Sequence, residues 1–116
     1  MQVLQTTKIT RNARISLGQD VLETLNADIG DYLQIFRDKQ GQVRLAITYY
    51  LAGKVLQVLQ TTKITRNARI SLGQDVLETL NADIGDHLQI FKDKQGQVRL
   101  ARITPPSLRV TGDGHD

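Results

Sequence analysis

QVLQTTKITRNARISLGQDVLETLNADIGDYLQIFRDKQGQVRLA, residues 2–46, returns as residues 57–101 with two changes, Tyr32 to His87 and Arg37 to Lys92. A repeat of this length is a structural unit, yet roughly 40–60 residues bury too little surface to be stable alone. Two copies completing one core together is the simplest solution. The chain then reads as a covalent pseudo-dimer of a unit that would otherwise pair with a second copy of itself. The expected organisation is a first repeat at 1–48, a linker at 49–56, a second repeat at 57–104 and a tail at 105–116.

Within one copy, residues 3–10 are rich in β-branched side chains and predict a strand. Arg11 and Asn12 suit a turn, because Asn tolerates the left-handed region. Ala13, Ile15 and Leu17 alternate with Arg14 and Ser16, the period of a half-buried strand with Arg14 facing solvent. Ser16 and Gln19 match a capping box that starts a short helix. Val21, Leu22 and Leu25 give that helix its apolar face, and Asn26 is a left-handed stop. A strand at 32–37, a loop with Gly41 at positive φ and a strand at 42–48 complete the unit. The expected fold is mostly β with two short helices: two ββαββ repeats, eight strands in all, enough to close one small barrel about a pseudo-two-fold axis. Residues 48–56 could span up to about 30 Å if extended, so one chain can close on itself. Identical segments also exchange readily between chains, which allows a domain-swapped homo-oligomer beside the monomeric pseudo-dimer.

The net charge is +3 with an isoelectric point near 9.5, which permits an anionic partner without requiring one. Its distribution says more. Lys8, Arg11 and Arg14 stand in a stretch without acids, followed by Asp20, Glu23, Asp28 and Asp31 without bases. The second copy repeats this with Lys63, Arg66 and Arg69, then Asp75, Glu78, Asp83 and Asp86. Two-fold association would gather six cations in one region. The acids fit helix-dipole and turn chemistry better than catalysis. Cysteine is absent, and there is no Gly-rich phosphate loop, zinc spacing or nucleophile constellation. His87 is Tyr32 in the other copy, which argues against a catalytic or metal role. The chain is therefore expected to be no enzyme and to use no cofactor or metal. A frayed tail is the reading for His115 and its acidic neighbours, and packing over the barrel end for Tyr49 and Tyr50. No run approaches the ~18 apolar residues of a membrane span, and a cytoplasmic protein is expected.

Thr7 to Leu17 (TKITRNARISL), Val21-Leu22, Leu25, Gly30-Asp31-x-Leu-x-Ile35 and Gly41-x-Val-x-Leu45, each repeated in the second copy, resemble the AbrB/MazE/SpoVT family of swapped-hairpin DNA-binding domains. The resemblance covers each full repeat. It implies a cradle-loop barrel in which two units interlock their N-terminal hairpins and present basic residues to double-stranded DNA. It places Lys8, Arg11, Asn12, Arg14, Lys63, Arg66, Asn67 and Arg69 at that interface, in a transcriptional regulator or antitoxin-like module. The chain departs from the family pattern at Ala13, usually Gly, at Gly18, usually Pro, and in the acidic character of its short helix. The Ala13 departure predicts a less tight hairpin. The short polar tail after Pro106 offers little to a toxin partner. A second reading stays open: an engineered or recently duplicated structural barrel with little or no DNA affinity.

Overall fold

The computed structural model describes residues 1–47 and 57–103. The expectations for the linker, for Tyr49 and Tyr50, and for the tail with Pro105, Pro106 and His115 lie outside the described residues. The first repeat forms β1 (Gln2–Lys8), β2 (Arg14–Ser16), α1 (Gln19–Leu25), β3 (Tyr32–Arg37) and β4 (Val43–Ile47). The second forms β5 (Gln57–Lys63), β6 (Arg69–Ser71), α2 (Gln74–Leu80), β7 (His87–Lys92) and β8 (Val98–Ile103). The fold is mostly β, with a six-stranded antiparallel sheet in the order β1-β7-β8-β4-β3-β5 and a two-stranded ribbon of β2 and β6.

This order combines two local hairpins with three pairings between repeats. β3 and β4 pair as a hairpin, as do β7 and β8. Gly41 (φ 80) and Gly96 (φ 83) take the left-handed turn conformation expected of them. β1 and β2 pair with no strand of their own repeat. β1 lies along β7, β5 along β3, and β2 along β6. β4 and β8 meet at the centre, Arg44 opposite Arg99. Both repeats line one core, in which Ile9, Ile15, Leu33 and Ile35 are fully buried beside Ile64, Ile70, Leu88 and Ile90. Helices of seven residues are too short to persist alone in water. They are held by burial of Val21 and Leu25 in α1 and of Val76 in α2.

Three local expectations are corrected. First, no capping box forms: the N-cap of α1 is Gly18, with no side-chain cap. Ser16 is the last residue of β2 and is exposed opposite Arg69, while the Gln19 side chain donates to Glu23 Oε2 at 3.2 Å. Gln5 closes this corner instead, donating to Ser16 O and accepting from Gly18 N, both at 2.7 Å. Gln5 sits beside a register shift between Val3 and Gln5 in the β1–β7 ladder; such irregularities re-aim side chains. A proline at 18 would lack the N–H that Gln5 accepts, so Gly18 belongs to this arrangement. Second, the left-handed residue of the turn is Ala13 (φ 58) and not Asn12. The turn nevertheless closes tightly: Ala13 N donates to Thr10 O at 2.8 Å, and Thr10 N to Arg14 O at 2.9 Å. Third, β1 stops at Lys8 rather than at residue 10, because Ile9 leaves the ladder. Its N–H donates to Asp86 O and its carbonyl accepts from Gly85 N.

Candidate nucleic-acid interface

The β2–β6 ribbon organises the basic residues. Arg14 stands opposite Ser71, Ile15 opposite Ile70, and Ser16 opposite Arg69. Alternation sends Ile15 and Ile70 fully into the core, which leaves Arg14, Ser16, Arg69 and Ser71 on the exposed face. Arg14 and Arg69 are diagonal neighbours in this register, with Cα atoms about 7–8 Å apart. Leu17 N donates to Ala68 O and Leu72 N to Ala13 O, both at 2.7 Å, so each end of the ribbon is pinned to the turn of the other repeat. The two turns, residues 10–14 and 65–69, therefore sit at opposite ends of a ribbon only three residues long. Each is braced by a threonine: Thr10 Oγ1 accepts from Arg14 N, and Thr65 Oγ1 from Arg69 N, both at 3.3 Å.

Lys8, Arg11, Asn12, Arg14, Lys63, Arg66, Asn67 and Arg69 are all exposed. Among the described residues the ion pairs are Arg44–Asp38 and Arg99–Asp93, and none involves the basic turns. Guanidinium forks at Arg14 and Arg69 and amides at Asn12 and Asn67 have the donors and acceptors to meet phosphates or base edges. Lys8 and Lys63 end β1 and β5, one residue before the buried Ile9 and Ile64 that lead into the turns.

The separation of bases from acids along the chain is not kept at one place in space. The acidic turn 83–86 hydrogen-bonds directly to Ile9, and the turn 28–31 to Ile64: Gly30 N donates to Ile64 O, and Ile64 N to Asp31 O. Asp28 and Asp31 are engaged in their own turn, Asp31 Oδ2 accepting from Asp28 N at 2.8 Å and Asp28 Oδ1 from Ile29 N at 2.9 Å. That contact lies between repeats, so no reading of one copy reveals it. The acids of α1 and α2, Asp20, Glu23, Asp75 and Glu78, are exposed on helices outside the ribbon.

Two features near the bases escape sequence reasoning. One is the Gln5 brace, repeated as Gln60 to Ser71 O at 2.8 Å and from Gly73 N at 2.7 Å. The other is Tyr32, half exposed, with Lys63 Nζ 5.9 Å from its ring centroid. Elsewhere, a cleft of about 390 Å³ lies between α1, β4 and the β7–β8 turn, lined by Leu25, Phe36, Arg44, Ile47 and Val98 among others. It contains none of the basic-turn residues. Among the described residues no helix is long and apolar enough to cross a membrane.

No family model matches the chain, and no curated protein sequence matches it. Among solved structures the chain is similar to the solution structure of PHS018 from Pyrococcus horikoshii, with a TM-score of 0.45 and 13% identity, covering 90% of this chain and 98% of that one.

Proposed function

We propose that this chain is a DNA-binding regulator of the AbrB/MazE/SpoVT type, a single-chain pseudo-dimer whose swapped-hairpin barrel docks two basic turns on double-stranded DNA. The observation that carries the reading is the ribbon: Arg14 and Arg69 share its exposed face, with a basic turn at either end. Phosphate pairing by six cations supplies affinity, and Arg14, Arg69, Asn12 and Asn67 supply whatever base reading occurs. The pseudo-dyad through Ile15 and Ile70 matches the approximate dyad of a duplex. The protein acts by binding, in the cytoplasm, without metal, cofactor or toxin partner.

The test is fluorescence-anisotropy titration of a random duplex pool at two salt concentrations. If all six cations meet phosphate, log affinity falls with log salt at a slope of up to about −5. Arg14→Ala/Arg69→Ala is expected to reduce that slope by about 2 and to weaken binding at both salt concentrations. Absence of binding at low salt would leave the second reading, a duplicated scaffold. One observation favours that reading: the acidic turns 28–31 and 83–86 lie against the ends of the basic strands.

A further inference from the structure

Within the repeated stretch the two halves of the basic face differ in one respect; beyond it, exposed Arg102 stands opposite Leu88 in the Lys8 half, where buried Ile47 stands opposite Leu33 in the Lys63 half. Lys8, Arg11, Asn12 and Arg14 have the same residue types as Lys63, Arg66, Asn67 and Arg69, and each half adjoins an identical acidic turn. The strand residue opposite the lysine is not the same: Tyr32 faces Lys63, and His87 faces Lys8. The other difference between the repeats, Arg37 against Lys92, lies five residues further along the strand, about 17 Å from this end. Arg37 there hydrogen-bonds Gln57. Of the two changes that distinguish the repeats, only the Tyr32/His87 pair touches the basic face.

We infer that Tyr32 and His87 make the two basic halves unequal, so that a bound duplex is held more strongly by the Lys63 half than by the Lys8 half. The inference rests on the DNA-binding reading. Its physical basis is local. A phenol ring attracts an ammonium group through its quadrupole, and Lys63 Nζ lies within the roughly 6 Å over which that attraction acts. A long side chain so restrained loses less freedom when it meets a phosphate. Tyr32 also exposes a ring and hydroxyl beside that lysine, and tyrosine hydroxyls are themselves phosphate donors. His87 offers Lys8 a smaller ring and is less exposed than Tyr32.

The test compares single-half variants of the full chain by anisotropy with one labelled random-sequence duplex pool at low salt. Lys63→Ala is expected to weaken binding by about tenfold and Lys8→Ala by about two- to threefold, the difference being a lost cation–π-restrained contact. The exchange variant Tyr32→His/His87→Tyr keeps composition and net charge and is expected to reverse that order. Lys92→Arg, far from the basic face, is expected to leave the order unchanged. Equal losses for Lys63→Ala and Lys8→Ala, or an order that survives the exchange, would overturn the inequality while the DNA reading stands. Failure of the unmodified chain to bind the duplex would overturn both.

Discussion

In the second half of each repeat, β3 pairs with β4 and β7 with β8, each across a turn anchored by an aspartate. In the first half, β1, β2, β5 and β6 find strand partners only in the other repeat. The half that closes on itself holds the partly buried ion pairs; the half that depends on the other copy carries the basic turns. The difference shows where cooperativity resides. A hairpin such as β3–β4 has its partner within a few residues, whereas the basic ribbon exists only when both repeats are folded together. The candidate site is therefore assembled by the same contacts that hold the two copies in one core.

The strongest way to break this comparison is at the ribbon's buried face. Ile15→Ala and Ile70→Ala each delete a fully buried side chain from a directly opposed pair. Each is expected to cost about 2–5 kcal/mol, and the double variant is expected to be non-additive. Chemical denaturation followed by circular dichroism measures this; a loss below about 1 kcal/mol for either would show that the ribbon is dispensable to the core. Gln5→Ala comes next. It removes two 2.7 Å hydrogen bonds and leaves the half-buried Gly18 N–H without its acceptor. The expected cost is about 2 kcal/mol, read from the same denaturation curve.

The self-paired hairpin is probed by pH. Burial raises the Asp38 carboxyl, but the Gln42 N–H, the Arg44 side chain and charge, and the Gln40 N–H outweigh it and hold it below the ordinary 3.8. Asp93 is lowered in the same way, by Gln97, Arg99 and Gln95 against burial. A carboxyl lowered on folding stabilises the protein above its unfolded value and loses that contribution as pH falls through the folded one. Asp38→Ala is thus expected to cost about 1.5 kcal/mol near neutrality. Its deficit relative to the unmodified chain should shrink as pH falls through the lowered folded value. A pH-independent deficit would assign the effect to packing. The smallest effect has the opposite sign. Ala13 and Ala68 occupy the left-handed region at φ 58 and 59, where a Cβ is strained. Ala13→Gly is expected to stabilise by about 0.5–1 kcal/mol, visible as a small rise in Tm; a fall would mean that the methyl group packs usefully.

Element types were legible wherever the cause was local. The alternation of Ile15 and Leu17, the helical spacing of Val21 and Leu25, and the turn chemistry of Asn26 and Gly41 all act within a few residues. The capping box failed because Ser16 is drawn into a ladder with β6, a partner 53 residues away from its own position at Arg69. Intrinsic tolerance of the left-handed region points to Asn12, yet the turn places Ala13 there, closed by Thr10 and Arg14. For the candidate site, exposure of the eight basic and amide side chains could be read from alternation and turn position. The nearness of Asp86 to Ile9 and of Tyr32 to Lys63 could not, because both arise between repeats.

The exchange of strands between repeats also bears on how the chain reaches this state. β1 and β5 have the same sequence, QVLQTTK, so either could satisfy the ladder offered by β3 or β7. Side-chain chemistry barely discriminates the two arrangements; the path of the backbone does. A nascent chain must also bring residues 79–90 positions apart into register before β1 gains its partner and 53–57 apart before β2 does, whereas β5 meets β3 across only 20–31. Such non-local closure slows folding. The duplication thus removes the wait for a second molecule but introduces near-degenerate pairings within one, and the search for the right partner becomes a problem of sorting rather than of encounter.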